Sequence, residues 1–383
     1  MEKRLFKSIG QEISLLGFGL MRLPILNGNT EEIDYPLAQA MVDMALENGV
    51  NYFDTAWIYH KGQSEVLAGR ALSRHPRNKY NLATKLPLWE VDSFETAENI
   101  FKTQLEKCRT DYIDFYLMHN IDQKSFRVMK DLGLYDYFLQ KKKEGVVRHL
   151  GFSVHDSPSH LKALTDQFDW DFAQIQLNYI DWDTLKAREM YGLLESKNIP
   201  VVIMEPLRGG SLAAPDAKTR DIFQKSAPDN SVASWGIRYA ASLPGVMTVL
   251  SGMSKLDQLE DNLKVMNNFT PLSQEERQVL EEAAKAYRAS HAIPCTSCRY
   301  CEDCPQGVDI PTNFAIYNQY KEMSISDPVA AHLVFENNQK SLLVPERADQ
   351  CVACGECVSH CPQSINVPVF LKEIADFSAS LHQ

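Results

Sequence analysis

Eight of the nine cysteines in this 383-residue chain fall into two matched runs. Cys295, Cys298, Cys301 and Cys304 are followed by Pro305, and Cys351, Cys354, Cys357 and Cys361 by Pro362. Three thiolates at three-residue intervals can wrap one face of an iron–sulfur cubane, which leaves the fourth iron to a cysteine arriving from elsewhere. The runs differ in one respect: two residues separate Cys301 from Cys304, and three separate Cys357 from Cys361. Structural zinc sites usually draw pairs of ligands from separated knuckles instead. Disulfides need an oxidising compartment, and Met1-Glu2-Lys3-Arg4-Leu5 leads into no apolar signal core. The spacing therefore points to two [4Fe–4S] clusters. Cys108, the ninth cysteine, stands alone in a helical stretch and reads as a buried thiol.

The elements that must carry these residues divide at about residue 290. Composition predicts a cytoplasmic protein: no apolar run approaches the ~20 residues of a membrane span. A net charge of −11 argues against a nucleic-acid partner. From residue 291 onward, 11 acidic residues face 5 basic ones, so the tail alone carries −6. Before the cysteines, short apolar runs alternate with amphipathic stretches. The strand-like runs are Leu16–Gly19, Asn51–Ala56, Asn81–Lys85, Tyr112–His119, His149–Val154, Phe172–Asn178, Pro200–Glu205 and Val246–Ser251. Helical patterns cover Leu37–Asn48, Phe94–Lys107, Tyr135–Lys143, Leu185–Ser196 and Val232–Ala241. Eight such repeats predict a parallel sheet closed into a (β/α)8 TIM barrel over residues 1–290. Leu5–Ser8 and Glu12–Leu15, flanking Ile9-Gly10-Gln11, read as a hairpin able to plug its bottom.

Chemistry in such barrels sits where strands end and βα loops begin. A strand buried on both faces should read apolar, so polar residues at strand ends stand out. Asp54 ends the second run, Tyr59 follows it, Lys85 ends the third and His119 the fourth. Singly, each has a structural explanation, since a buried Asp–Lys pair or a strand-end histidine can simply belong to the core. Together they form a chemical unit. A lysine cation stabilises a neighbouring phenolate and makes tyrosine a usable acid. The aspartate keeps the lysine charged, and a histidine donor can orient a carbonyl oxygen.

These residues make the chain resemble the aldo-keto reductase superfamily. Asn51-Tyr52-Phe53-Asp54-Thr55-Ala56 with Tyr59 resembles its signature, Ala83-Thr84-Lys85 its lysine strand and Tyr116-Leu117-Met118-His119 its histidine strand. The resemblance runs from about residue 12 to 290 and implies NAD(P)H-dependent reduction of a small aldehyde or ketone, with Tyr59 as general acid. It also implies cofactor contacts. Ser153, in Gly151-Phe152-Ser153, and Gln176 would hold the carboxamide. Met204, Leu207, Gly209 and Leu212 would pass along the pyrophosphate. Ser251, Gly252 and Ser254 would open a helix onto a phosphate, with Ser254 and Asp257 as a capping box. Asn262 would meet adenine. Gln258 stands where many members have arginine and Gly252 where lysine is frequent, which leaves Lys255 or Arg208 to grip the 2′-phosphate of NADPH. NADPH is the expectation, with NADH possible. Trp57, Trp89, Tyr179 and His155 are candidates for the substrate pocket, although large aromatics are more often core.

The tail resembles ferredoxins. In two-cluster ferredoxins the proline-linked cysteine serves the other cluster, which pairs Cys361 with Cys295, Cys298 and Cys301, and Cys304 with Cys351, Cys354 and Cys357. Helical patterns at Pro311–Met323 and Pro328–Asn338 between the runs resemble the α-helical ferredoxins of multisubunit reductases. The whole resembles a ferredoxin-tailed branch of the reductases, with residues 291–383 as a small α-helical ferredoxin-like domain. Nicotinamide delivers two electrons and a cubane accepts one, so a path between them needs a flavin or another splitter. Three readings follow. The first is a carbonyl reductase with structural or redox-sensing clusters. The second is an electron-transfer reductase with a barrel-bound flavin and a ferredoxin or other redox partner. The third is a regulatory binding protein like the potassium-channel β-subunits.

Overall fold

The computed structural model describes residues 1–290, 293–324 and 327–381. They form two compact units. The first takes in Met1–Leu207 and Ala233–Ser273, and the second Arg208–Val232 and Gln274–Gln383.

In the first unit, β1 (Lys3–Leu5) and β2 (Glu12–Ser14) pair antiparallel. Eight parallel strands follow: β3 (Leu16–Gly19), β4 (Tyr52–Asp54), β5 (Asn81–Pro87), β6 (Ile113–His119), β7 (Val147–Val154), β8 (Phe172–Gln176), β9 (Val201–Met204) and β10 (Val246–Gly252). They close in sequence order, with β10 pairing β3. This is the expected (β/α)8 barrel. β4, β5 and β6 are buried along their whole length, which explains why they read as apolar runs.

The hairpin starts earlier than its apolar pattern suggests. Its first arm is Lys3–Leu5, not Leu5–Ser8, because the amides of Ile9 and Gly10 both donate to the Phe6 carbonyl (3.0 and 2.9 Å) and close a turn there. Gly10 takes the positive φ of 72° that this turn requires. The turn carries Ile9 into a cluster with Ile13, Tyr52, Phe115, Phe172 and Met247. Burying one such side chain contributes roughly 1.5–3 kcal/mol.

The helical expectation Leu185–Ser196 resolves into Asp181–Thr184 and Ala187–Ser196, because Lys186 turns left-handed (φ 55°) between them. The first long helix, Tyr35–Glu47, starts two residues early: Asp34 caps it by accepting from the Leu37 amide, and Pro36 suits its first turn. Helix Gln63–Leu72 meets the end of Phe94–Lys107 closely. A Cβ on Gly69 would lie 2.1 Å from the Lys107 carbonyl oxygen, so only glycine allows this approach.

In the second unit, helices Ile310–Ser324, Pro328–Ser341 and Val367–Ser380 surround Phe314, Tyr317, Phe335, Leu371 and Ile374. Cys295, Cys301, Cys304, Cys351, Cys357 and Cys361 pack against this core. Buried Asn313 donates to the carbonyls of Asp309 (2.8 Å) and Glu346 (2.7 Å), tying the start of one helix to the loop before the second cysteine run. Helices Ala217–Ser226 and Gln274–Ser290 pack on each other in the same unit. Among the described residues, no helix is long and apolar enough to cross a membrane.

Candidate active site and metal centres

Three adjacent strands bring Asp54, Lys85 and His119 to one end of the barrel. Register sets the level: Asp54 lies opposite Ala83, two residues before Lys85, and His119 lies opposite Pro87. β5 continues to Pro87, so Lys85 sits inside the strand and not at its end.

Lys85 is fully buried (0% exposed), and its Nζ donates to Asp54 Oδ1 and to the Thr55 carbonyl, both at 2.7 Å. Asp54 is 2% exposed, and its Oδ2 has no protein partner. Burial pushes the Asp54 carboxyl up and the Lys85 ammonium down, and their mutual attraction opposes both shifts. The ammonium stands 5.0 Å from the centre of the Tyr59 ring. Tyr59 meets His119 edge to face, with centroids 6.3 Å apart. Burial, then the Lys85 cation and His155, hold His119 well below the ordinary histidine value. Its ring is therefore neutral at pH 7 and keeps one N–H to donate. Buried Nδ1 of His119 has no protein partner.

Sequence reasoning passed over the residues that hold this group. After Tyr59 the chain turns through His60 and Lys61, both left-handed (φ 51° and 49°), to Gly62. Left-handed non-glycine residues are strained by about 1–2 kcal/mol each. His60 holds the turn: Nδ1 contacts the Thr30 carbonyl at 2.7 Å and Nε2 accepts from the Leu23 amide at 3.2 Å. Beneath Lys85, Glu65 accepts from Thr84 Oγ1 (2.6 Å) and Gln104 Nε2 (2.8 Å), and the same Gln104 amide donates to the Lys85 carbonyl (2.9 Å). The only sequence signal is a glutamate on the apolar side of a short helix.

Around the barrel, Ser153 Oγ accepts from the Asn120 amide (2.8 Å), which leaves its hydroxyl proton for an acceptor. Gln176 Nε2 donates to Asp181 Oδ2 (2.7 Å), a fully buried carboxylate that also receives Asn178 Nδ2 (2.6 Å). Met204 ends β9, and Leu207 packs where a Cβ on Gly236 would stand. Asn262 Nδ2 donates to Ser251 Oγ (3.0 Å). The capping box is corrected: Lys255 occupies the N-cap of helix Leu256–Asn267, and Gln258 Oε1, not Asp257, accepts from the Ser254 amide (2.9 Å). A Cβ on Gly252 would crowd the Arg22 stem at 3.2 Å, so the glycine leaves room for a basic residue that carries no motif of its own. Gly209 and Leu212 belong to the second unit, as does Arg208. Of the aromatic candidates, Trp89 is 44% exposed and lies 4.9 Å from the His119 ring. Trp57 instead bonds Glu90 (2.8 Å) beneath the Lys107 ammonium, and Tyr179 is buried.

None of the nine cysteines is joined in a disulfide. Cys295, Cys298, Cys301 and Cys361 line one small pocket, walled by Ile310, Phe314, Ile365 and Val367. Burial pushes the Cys301 thiol up to about 12, with Cys298, Cys295 and Cys361 as charged neighbours. Burial raises the Cys357 thiol, and Cys351, Cys354 and Cys304 lie within electrostatic reach of it. Thiolates are the donors that a cubane takes; among the described residues, no group of three or more cysteine, histidine or carboxylate side chains is arranged to hold a single metal ion. Cys108, in the first unit, is buried, and burial raises its thiol well above the ordinary value.

Comparison with known proteins identifies the family of this barrel and of the segment that follows it. The sequence model described as the Aldo/keto reductase family matches residues 15–285, and that of a 4Fe-4S dicluster domain matches residues 294–365. The chain belongs to the aldo-keto reductase family and is an oxidoreductase of that family with a 4Fe-4S dicluster domain. It is 28% identical to "Uncharacterized oxidoreductase YqkF" of Bacillus subtilis, over 74% of this chain and 97% of that protein. It is 24% identical to the "NADH-specific methylglyoxal reductase" of Escherichia coli, over 72% of this chain and 95% of that protein. Among solved structures, the "aldo-keto reductase AKR11C1 from Bacillus halodurans (holo form)" superposes with a TM-score of 0.63 at 28% identity, covering 75% of this chain and 97% of that one.

Proposed function

We propose that this protein reduces a small aldehyde or ketone with NADPH or NADH, using Tyr59 as the general acid. The observation that carries this reading is the fully buried Lys85 ammonium, fixed by Asp54 and the Thr55 carbonyl 5.0 Å from the Tyr59 ring. Neutral His119 donates to the carbonyl oxygen and sets it beside the Tyr59 hydroxyl. Tyr59 passes its proton to that oxygen as negative charge develops, and Lys85 stabilises the phenolate left behind. Asp54 keeps Lys85 in place, and Trp89 covers the reacting centre. A bound nicotinamide supplies the hydride. Ser153 and Gln176 would hold its carboxamide, Met204 and Leu207 would flank the pyrophosphate, and Ser251, Gly252, Ser254, Gln258 and Asn262 would hold the adenosine end. Room left by Gly252 beside Arg22 supports a phosphate there. The two cysteine sets would hold [4Fe–4S] clusters, which supply one-electron chemistry when bound.

The test is NAD(P)H oxidation driven by short aldehydes such as methylglyoxal, assayed anaerobically on chain with reconstituted clusters. Tyr59→Phe should lower kcat about 10²–10⁴-fold; unchanged turnover sinks the tetrad mechanism. An NADPH titration followed by electron paramagnetic resonance separates the electron-transfer reading. Clusters reduced by dithionite but silent to NADPH support hydride transfer alone, whereas a signal that grows with NADPH means that an electron path and a splitter such as flavin exist.

A further inference from the structure

We infer that Arg208 is the counter-charge of the first cluster and favours its reduced form over that of the second. This rests on the reading that Cys295, Cys298, Cys301 and Cys361 hold one cubane.

The two cysteine runs repeat one local geometry. The Ser297 amide donates to Cys295 Sγ and the Ala353 amide to Cys351 Sγ, each at 3.4 Å. Ser297 and Ala353 both take left-handed backbone, with φ of 51° and 55°. These amide dipoles therefore do not distinguish the sites. Their surroundings do. The second set includes exposed Cys354, so water screens it. The first opens into the apolar-walled cavity, where charges interact more strongly.

Arg208 is the charge that reaches this first set from buried ground. It is 5% exposed, and its Nη2 donates to the Pro294 carbonyl at 3.5 Å. That carbonyl is bonded to the Cys295 amide, so covalent reach keeps the guanidinium within about 10 Å of the sulfur. Arg208 also lies within electrostatic reach of Cys295. Its backbone is left-handed (φ 50°), and its carbonyl accepts from Ser211 Oγ (2.8 Å), itself bonded to Tyr287 (3.0 Å). The side chain is thus held from its own turn. Arg299 lines the same cavity, but it is exposed and paired with Glu302 at 3.1 Å, which screens it.

One electron from an external donor takes the cubane from [4Fe–4S]2+ to [4Fe–4S]+. With four thiolates, the net charge passes from 2− to 3−, and no bond breaks. A fixed cation at about 10 Å in a medium of effective dielectric near 20 favours the more negative state about tenfold. Cluster potentials respond to such nearby charge.

The experiment uses the full chain, reconstituted anaerobically and titrated with dithionite under potential control, with electron paramagnetic resonance as the readout. In Arg208→Gln one midpoint should fall by about 59 mV, the one-electron equivalent of tenfold, while the other stays. Arg208→Lys should keep both midpoints within about 28 mV of wild type, the one-electron equivalent of threefold. Two unmoved midpoints, or two that fall together, overturn the inference. If Arg208→Gln loads no clusters, Arg208→Lys decides: full loading with wild-type midpoints supports the charge role, and failed loading shows a mechanical clamp instead. A wild-type chain without a full iron and sulfide complement removes the cluster reading, and this inference with it.

Discussion

Replacing Lys85 with methionine separates the structural work of the buried ion pair from its chemical work. The substitution keeps an unbranched side chain but deletes the donors to Asp54 Oδ1 and the Thr55 carbonyl, both at 2.7 Å. Asp54 is then a buried carboxylate with neither oxygen paired, since Oδ2 already lacks a partner. Breaking a buried pair this way costs about 3–5 kcal/mol. At roughly 2–4 °C per kcal/mol for a unit of this size, the melting temperature should fall by about 6–20 °C. Turnover should fall by about 10²–10⁴, because the phenol loses its cation. The double variant Asp54→Asn/Lys85→Met removes the unpaired charge, so most of the stability should return while activity stays low. Thermal unfolding by circular dichroism and initial rates of aldehyde-dependent NAD(P)H oxidation, both anaerobic, measure the two effects. If Lys85→Met melts early yet turns over like wild type, or if the double variant regains activity with stability, the pair is purely structural and the mechanism is wrong.

Trp89→Ala, which removes an exposed ring 4.9 Å from His119, should raise KM for the aldehyde severalfold with little change in kcat; equal KM values would remove Trp89 from the pocket. Asn262→Leu should raise KM for the dinucleotide and spare kcat, and a pure stability loss would mean that Asn262 serves only Ser251. His149, stacked on Phe115 at 4.8 Å, is pushed down to about 4, mainly by burial. The folded form therefore binds fewer protons than the unfolded form between pH 6.5 and 4, and stability is lost as pH falls through that window. His149→Phe should flatten part of the slope in denaturation midpoints measured from pH 7 to 4, and an unchanged slope assigns it to other groups.

The barrel was legible because burial on both faces leaves a plain mark: β4, β5 and β6 are mostly apolar runs, in which Asp54, Lys85 and His119 stand out alongside Asn81, Thr84 and Asp114. Turns were less legible. Nothing in Phe6–Gly10 announces that two amides close on one carbonyl, and Lys186 gives no sign of adopting a left-handed φ. Support for the site was hidden for another reason. Glu65, Thr84 and Gln104 lie on two helices and a strand, and each alone reads as an ordinary polar residue. Their meaning appears only when the fold brings Thr84 and Gln104 within 3 Å of Glu65. The same holds for Arg208, which the family resemblance offers, with Lys255, as a grip on a cofactor phosphate and which tertiary contact places against Pro294.

The second unit is discontinuous in sequence: the chain enters it at Arg208, leaves after Val232 and returns at Gln274. The match to the Aldo/keto reductase family over residues 15–285 nevertheless takes in Arg208–Val232, so the unit joins a segment of the family's own chain to the cysteine-bearing segment that follows it. An exchange made at residue 290 would carry the cysteines but leave behind Ala217–Ser226 and Gln274–Ser290, helices of the same packed body. Translation adds a further constraint. Arg208–Val232 leaves the ribosome before β10 is made, and the partners that complete its unit follow only with the C-terminal third of the chain. Iron insertion must then be among the last steps in maturation, after the strand that closes the barrel has already been synthesised.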